Sequence, residues 1–242
     1  MLIECDRHTR ADLDHWRMRE RQDAVHCKLA SMARKIDAAK RAIATFDAHH
    51  RGAYYVGASW GKDSVVVASI AYAAGVPAPL VYVRVEPMAN PHCTLVRDAF
   101  LAAHAADYDE VRIDCERDEH GRFPSVGRLE SGFAIAAERH GDAYVSGVRA
   151  EESGARRLRM GAHGVESLRT CAPIGWWRGE DVFAYLHAHE LPVHPAYAMT
   201  MGGRLDRNRI RVATIGGERG TGHGRADWEA RYYPRESAAI LA

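Results

Sequence analysis

The residues best suited to chemistry form one short run, Gly57-Ala58-Ser59-Trp60-Gly61-Lys62-Asp63-Ser64. The run follows a short apolar stretch, residues 53–56, that predicts a buried strand, and it leads into residues 64–72, which predict a helix. Free backbone N–H groups in such a turn, together with the positive end of a helix dipole, bind anions. Lys62 adds a positive charge for a phosphate oxygen, and Asp63 either caps the helix or holds Mg²⁺. The run therefore predicts a phosphate-binding loop.

This loop differs from a Walker A motif, which places four residues between its first glycine and its Gly-Lys pair. Here only three residues separate Gly57 from Gly61. The pattern Ser-x-Gly-Lys-Asp-Ser over residues 59–64 instead resembles the PP-loop of the adenine nucleotide α-hydrolase superfamily, written Ser-Gly-Gly-x-Asp-Ser. That superfamily includes ATP pyrophosphatases, sulfate adenylyltransferase small subunits, tRNA and DNA sulfur-transfer enzymes and phosphoadenylyl-sulfate (PAPS) reductases. Trp60 replaces the first glycine of the motif, and its side chain either covers the nucleotide or packs in the interior.

A second charged segment, residues 147–159, follows the fourth predicted strand. It holds four arginines, and a guanidinium group matches phosphate or sulfate oxygens in a bidentate way. Glu151 and Glu152 either orient these arginines or contribute to a metal site. The carboxyl ends of parallel strands meet at one edge of a sheet, so we expect this segment to face the Lys62 loop across a cleft.

The same segment resembles the Gly-x-Arg-x-x-Glu-Ser-x-x-Arg signature of the PAPS-reductase branch. The matching residues are Gly147, Arg149, Glu152, Ser153 and either Arg156 or Arg157. Residues 173–186 and 189–197 resemble two later motifs of that branch, so the resemblance spans about residues 53–200. It implies that the arginine segment holds the nucleotide and the anionic group attached to it. Within the later motifs we expect Trp176, Phe183 and Tyr185 to lie in the core.

The elements that would position these residues alternate between strand and helix. The predicted strands are 53–58, 80–85, 110–113 and 143–147, and the predicted helices are 64–74, 92–106 and 129–140, with a loop at 115–128. Apolar strands in this alternation predict an α/β fold, a doubly wound parallel sheet covered by helices on both faces. The resemblance implies the adenine nucleotide α-hydrolase-like (HUP-type) form of that fold. We also expect Val83, in the second strand, to contribute to the nucleotide site.

Two segments flank this nucleotide-binding α/β domain, residues 51–200. Residues 1–50 form a long N-terminal helical segment, one helix or two joined, whose apolar positions from Val25 to Phe46 recur at helical spacing. That face either packs on its own domain or forms a homodimer. Residues 201–242 form a tail rich in glycine and arginine, in which 216–224 is either a lid or a solvated loop and 227–234 predicts a closing helix. Its arginines are candidate contacts for a nucleic-acid backbone or a triphosphate, namely Arg204, Arg207, Arg209 and Arg211.

Composition sets further bounds. The formal net charge of +1 argues neither for nor against a polyanionic partner, and no stretch reaches the ~20 apolar residues that span a bilayer. We expect no membrane association and no signal peptide. The cysteines lack the clustered spacing of a metal or iron–sulfur site: Cys5, Cys27, Cys93, Cys115 and Cys171. We therefore expect no iron–sulfur cluster, and reduced thiols in a cytoplasmic protein.

The reductase branch uses a nucleophilic cysteine in a Glu-Cys-Gly-(Leu/Ile)-His segment, which this sequence lacks. We therefore expect an enzyme that binds ATP and Mg²⁺, with Asp63 as metal ligand, and that adenylates an acceptor and releases pyrophosphate. The acceptor is open, a nucleic acid or a sulfur-carrier protein. The candidate catalytic residues are Lys62, Asp63 and Arg149. The candidate nucleotide-binding residues are Ala58, Ser59, Trp60, Gly61, Lys62, Asp63, Ser64, Val83, Gly147, Arg149, Glu152, Arg156 and Arg157.

Two other functions stay open at this point. The first is a sulfonucleotide reductase that uses a non-standard cysteine, Cys171 or Cys93, since a thiolate is needed to attack sulfur. The second is a non-catalytic nucleotide-binding module that works beside a nucleic-acid-directed partner.

Overall fold

The computed structural model describes residues 1–117, 119, 123, 127–216 and 224–241. Half of the predicted loop at 115–128 and most of the glycine-rich run at 216–224 lie outside these residues. The strands are β1 Tyr54–Gly57, β2 Leu80–Glu86, β3 Tyr108–Asp114, β4 Ala143–Val145 and β5 Thr170–Cys171. The helices are α1 Arg10–His26, α2 Ala30–His50, α3 Lys62–Ala73, α4 His92–Ala103, α5 Gly127–His140, α6 Gly154–His163, α7 Gly179–Ala188, α8 Arg225–Tyr232 and α9 Pro234–Leu241.

The strands form one parallel sheet in the order β3-β2-β1-β4-β5. The chain runs outward from the central β1 to β3 and then crosses back to β4, on the other side of β1. The point where the strand order reverses therefore lies between β1 and β4. In open α/β sheets this is where ligands bind, outside the carboxyl ends of the strands.

Successive residues of β1 show that both faces of the sheet are covered. The ring of Tyr54 lies 5.3 Å from that of Phe46 on α2, whereas the ring of Tyr55 lies 6.3 Å from that of His140 at the end of α5. Neighbouring side chains of a strand point to opposite faces, so α2 and α5 lie on opposite sides of the sheet. The predicted doubly wound α/β fold is confirmed.

The N-terminal segment forms two helices, because residues 27–29 interrupt the helical run. Met32, Ile43 and Phe46 on α2 are buried in the same core as the sheet, and α1 packs on α7 through Trp16 and Phe183. Val25 and Leu29 belong to the predicted apolar face but are exposed, since the break between the helices turns them away from the core.

The tail returns to the body of the protein. Trp228 of α8 is buried, and its indole N–H donates to the Met199 carbonyl at 2.7 Å. Pro234 follows the predicted closing helix, as expected, but it also begins α9, because proline is well tolerated in the first turn of a helix. Within the described residues, every helix is too short or too polar to cross a bilayer.

Candidate functional site

The predicted phosphate-binding loop connects β1 to α3 at the carboxyl end of the central strand. Helix α3 begins at Lys62, two residues earlier than predicted, and Gly61 is its N-cap residue. The alternative in which Asp63 caps the helix is therefore wrong: Asp63 lies in the first turn, and its carboxylate faces cations instead. The loop is braced internally by Ser64, whose hydroxyl donates to the Gly61 carbonyl at 3.0 Å.

Trp60 packs in the interior, so the alternative of a side chain over the nucleotide is wrong. Its ring is fully buried, 5.8 Å from the rings of Phe100 and Tyr108. Its φ of 59° lies in the left-handed region, which favours glycine, and the PP-loop motif has glycine at this position. The loop therefore keeps the backbone shape of a glycine while the tryptophan side chain anchors it to the core.

Tyr197 fixes the position of Lys62, and sequence reasoning missed it as a site residue. The backbone N–H of Lys62 donates to the Tyr197 hydroxyl at 3.0 Å, and the Lys62 ammonium lies 5.3 Å from the centre of the same ring. A Cβ at Gly61 would lie 3.2 Å from that hydroxyl. Tyr197 belongs to the stretch 189–197 that carries the third resemblance motif. That resemblance is the only signal that could have singled it out.

Arg149 joins the second segment to the loop. Its side chain is only 1% exposed, and its Nε lies 2.6 Å from Asp63 Oδ1. Its Nη1 lies 2.6 Å from Glu151 Oε2. The chain leaves β4 close to the first turn of α3, because a Cβ at Gly147 would lie only 2.8 Å from the Asp63 carbonyl carbon. The structure thus brings Gly147, Arg149 and the Lys62 loop together across the strand reversal, as the strand arrangement predicts.

Gly147→Ala should disturb this contact directly. The added methyl group would meet backbone atoms of Asp63, which cannot move without shifting the start of α3. We expect a loss of about 1–3 kcal/mol in the free energy of unfolding, together with weaker nucleotide binding. Denaturant unfolding and calorimetric titration would measure both effects. Gly161→Ala is the matched control, since a Cβ there meets open space in α6 and should stabilise the helix by about 0.5–1 kcal/mol. Equal stability of the two variants would contradict the close approach.

The glutamates of the second segment orient arginines. Glu151 pairs with Arg149 and also accepts the Gly179 N–H at 2.7 Å. Glu152 accepts the Arg149 N–H at 3.3 Å and forms an ion pair with Arg156 on α6. Of the two alternatives for these acids, the structure supports orientation of the arginines. Arg157 lies next to Arg156 on α6 and is exposed.

Arg156 and Arg211 extend the positive charge of the site. Burial lowers the pKa of Arg156, Arg211 and Arg149 lower it further, and Asp63 opposes them. Charged groups of both the loop and the tail therefore act on the Arg156 guanidinium. We call Lys62, Asp63, Arg149, Arg156 and Arg211 the charged cluster.

The tail reaches the loop through residues 211–215. Ile215 donates its N–H to the Met88 carbonyl at 2.7 Å, and Val212 lies against Gly61, 3.2 Å from the position of a Cβ there. Arg225 at the start of α8 holds this segment, because its guanidinium donates to the carbonyls of Arg211 at 2.6 Å and Thr214 at 2.7 Å. Sequence reasoning named Arg211 but gave no reason to choose Arg225.

Val83 lies in the middle of β2 and packs against Gly132 of α5, and its contribution to the nucleotide site stays a prediction. Two other predictions about individual side chains are wrong. Trp176 is 54% exposed, and the buried tryptophan of its motif is Trp177. Arg207 is buried and pairs with Asp23 at 2.5 Å, so it supports the packing of α1 and is not available to a nucleic acid or triphosphate.

A magnesium ion fits this site only with help from a substrate. Among the described residues, no three His, Cys, Asp or Glu side chains are grouped as a protein-only metal site requires. Mg²⁺ in nucleotide sites is commonly held by one or two carboxylates together with phosphate oxygens. Asp63, in the first turn of α3, fits as one such ligand if phosphates supply the others.

Comparison with known proteins identifies one matching sequence family and several solved structures with some similarity. The sequence profile described as "Phosphoadenosine phosphosulfate reductase domain" matches residues 53–223. No curated protein sequence is similar enough to count as a relative.

The solved structures with some similarity are distant. Phosphoadenylyl-sulfate reductase from Candida auris, in a phosphate complex, has 14% identity and a TM-score of 0.49 over 81% of this chain and 93% of that one. FMN adenylyltransferase from Candida glabrata, in complex with ATP, has 14% identity and a TM-score of 0.49 over 76% and 67%. The U34-tRNA thiolase NcsA from Methanococcus maripaludis, with its [4Fe-4S] cluster, has 14% identity and a TM-score of 0.43 over 86% and 77%.

Proposed function

The chain belongs to the phosphoadenosine phosphosulfate reductase domain family, and on that premise we propose that it binds ATP and cleaves it at the α-phosphate. The cleavage would transfer the adenylyl group to an acceptor and release pyrophosphate. The observation that carries this proposal is the convergence of Lys62 and Arg149, both almost fully buried, on a helix N-terminus at the strand reversal. Buried cations beside the positive end of a helix dipole suit a chain of phosphates.

In the proposed reaction a nucleophile of the acceptor attacks the α-phosphorus, and the bond to the α,β-bridging oxygen breaks. Pyrophosphate leaves with the electron pair of that bond, so negative charge grows on the bridging oxygen. Lys62 and Arg149 would stabilise this charge from fixed positions, since Tyr197 holds Lys62 and Glu151 holds Arg149. Arg156 and Arg211, which belong to the charged cluster, would contact the outer phosphates. When bound between Asp63 and the phosphates, Mg²⁺ would act as a Lewis acid on the leaving group.

The burial of the thiols favours this function over sulfonucleotide reduction. Burial raises the pKa of Cys171 to about 12, and Glu166 raises it further. Burial also raises the pKa of Cys93 to about 12, against the opposing effect of its hydrogen bond with Tyr82. A thiol attacks sulfur as its thiolate, which is scarce at neutral pH for groups of such high pKa.

Cys171→Ala should therefore leave pyrophosphate release within about twofold of the wild-type rate, because the thiol takes no part in the proposed step. The side chain is fully buried, so a modest loss of stability is expected and is followed by thermal unfolding. Cys27→Ala, at the partly exposed junction of α1 and α2, serves as the control. A loss of activity confined to Cys171→Ala, with the fold intact, would restore the reductase hypothesis.

Calorimetric titration with ATP·Mg²⁺ and, separately, with PAPS tests the proposed function, followed by a pyrophosphate-release assay. Release should be measured alone, with added RNA or DNA, and with a sulfur-carrier protein, because a nucleic acid and such a protein are the two candidate acceptors. We expect ATP to bind and one acceptor to stimulate release. Preference for PAPS would overturn the proposal in favour of the reductase. ATP binding without release under any of these conditions would leave a non-catalytic nucleotide-binding module.

A further inference from the structure

The carboxylate of Asp63 lies between Lys62 and Arg149. These are the two cations that would bind phosphate in the proposed function. Asp63 Oδ1 lies 2.6 Å from Arg149 Nε, and Asp63 Oδ2 lies 2.8 Å from Lys62 Nζ. Each oxygen thus has its own cation. The carboxylate that would hold Mg²⁺ is therefore in ion-pair contact with both groups that would hold phosphate: it is hydrogen-bonded to Lys62, whereas its close contact with Arg149 Nε lacks hydrogen-bond geometry.

This arrangement follows from burial. Lys62 and Arg149 are almost completely excluded from water, and a buried cation is costly unless an anion compensates it. Among the described residues, Asp63 is the acid that pairs with Lys62, whereas Arg149 also has Glu151. Without a ligand, Asp63 is therefore the counterion that allows Lys62 to remain buried beneath the loop.

A divalent cation approaching this Asp63 carboxylate would meet Lys62 and Arg149 on either side. Their charge repels the ion, and both carboxylate oxygens already have partners. A polyphosphate approaches with the opposite sign and can take over Lys62 and Arg149. Once its oxygens compensate those two cations, the Asp63 oxygens are released beside a row of phosphates. That is the mixed ligand set that Mg²⁺ prefers.

We infer that the site takes its ligands in a fixed order: the polyphosphate exchanges places with Asp63 on Lys62 and Arg149, and only then does Asp63 bind Mg²⁺. The inference rests on the proposed function, because it concerns the same nucleotide site. Coupling between two ligands is reciprocal, so Mg²⁺ must also strengthen the binding of the polyphosphate. A site with a preformed metal would instead bind Mg²⁺ alone.

The inference gives Asp63→Asn an unusual expected phenotype. Without the carboxylate, Lys62 and Arg149 lose a competing anion, so metal-free polyphosphate should bind more tightly, by roughly tenfold. The same variant should lose the strengthening by Mg²⁺, because the amide is a poor replacement for the carboxylate ligand. A simple metal-ligand role for Asp63 predicts no gain in the absence of metal.

The experiment is calorimetric titration with three probes: MgCl₂ alone, α,β-methylene ATP in EDTA, and α,β-methylene ATP with Mg²⁺. The methylene bridge prevents cleavage, so binding is measured without turnover. For the wild-type chain we expect no binding of MgCl₂ alone, measurable metal-free nucleotide binding, and tighter binding with Mg²⁺. Asp109→Asn is the matched control, since that carboxylate lies at the start of β3 and pairs with Arg139 and His140. It should behave as the wild type does.

Two results would overturn the inference while leaving the proposed function in place. One is saturable binding of MgCl₂ alone to the wild-type chain at the affinity seen with nucleotide. The other is weaker metal-free nucleotide binding by a folded Asp63→Asn variant. If that variant fails to fold, the wild-type titrations alone decide the order. Inorganic tripolyphosphate separates the two proposals: if it binds with the expected Mg²⁺ coupling but the nucleotide does not, the ordered site stands and the ATP function falls. If no polyphosphate binds, both fall.

Discussion

Lys62→Met is expected to lower ATP affinity or pyrophosphate release by on the order of 100-fold or more, the loss usual for a preorganised charge-stabilising group. The fold should survive, because methionine keeps an unbranched apolar stem of similar reach over the ring of Tyr197. Asp63 would retain Arg149 as a partner, so the variant leaves no carboxylate unpaired in the loop.

Titration with ATP·Mg²⁺ and the pyrophosphate-release assay measure the effect of Lys62→Met. Lys28→Met is the matched control, since Lys28 is an exposed lysine between α1 and α2. Wild-type ATP affinity in a folded Lys62→Met variant would remove this loop from the nucleotide site and with it the proposed function.

Arg149→Met is expected to cost both stability and function. The guanidinium group is buried and contacts Asp63 and Glu151, so its removal leaves two carboxylates with a missing partner. Breaking buried ion pairs from one side typically costs about 3–5 kcal/mol in the free energy of unfolding. ATP binding should fall with it, because the charge nearest to Asp63 and the attachment of the second segment to the loop are lost together.

Arg149→Lys distinguishes charge from geometry. A lysine ammonium is a single point charge and cannot bridge Asp63 and Glu151 as the planar fork does, so we expect only partial rescue. Denaturant unfolding and ATP titration should be compared with Arg159→Met, an exposed arginine of α6 that donates to the Thr170 hydroxyl. Full rescue by lysine would show that the bridge between the two acids is unimportant.

The local patterns of the sequence were sufficient to predict the α/β fold. Three of the predicted strands are largely apolar runs, the fourth, 110–113, alternates charged and apolar residues, and each gave a strand of the parallel sheet. Strand β5, Thr170–Cys171, is too short to carry a periodic signal, and the sequence indicated only that Cys171 lies at the end of a strand. The meeting of the Lys62 loop with the Arg149 segment could be predicted from the sheet rule, since both follow strands that end at one edge.

Contacts between residues far apart in the chain could not be predicted in this way. Nothing in the sequence distinguishes Arg207, which is buried against Asp23, from Arg211, which lies in the charged cluster, since both belong to one polar arginine-rich run. The burial of the Trp60 side chain likewise depends on Phe100 and Tyr108, which belong to other elements of the fold. Such pairings are decided by tertiary packing, which no local pattern records.

The hydrogen bonds that Arg225 donates to the Arg211 and Thr214 carbonyls also bear on how the protein folds during its synthesis. The loop at Gly61 leaves the ribosome early, whereas Val212, which packs against it, and Arg225, which holds that segment, are synthesised much later. Domains generally complete their folding as units, after their distant parts have emerged. A growing chain that already contains the loop but has not reached residue 225 lacks the residue that holds Val212 against Gly61. We therefore expect the proposed nucleotide site to be complete only in chains whose synthesis has passed residue 225.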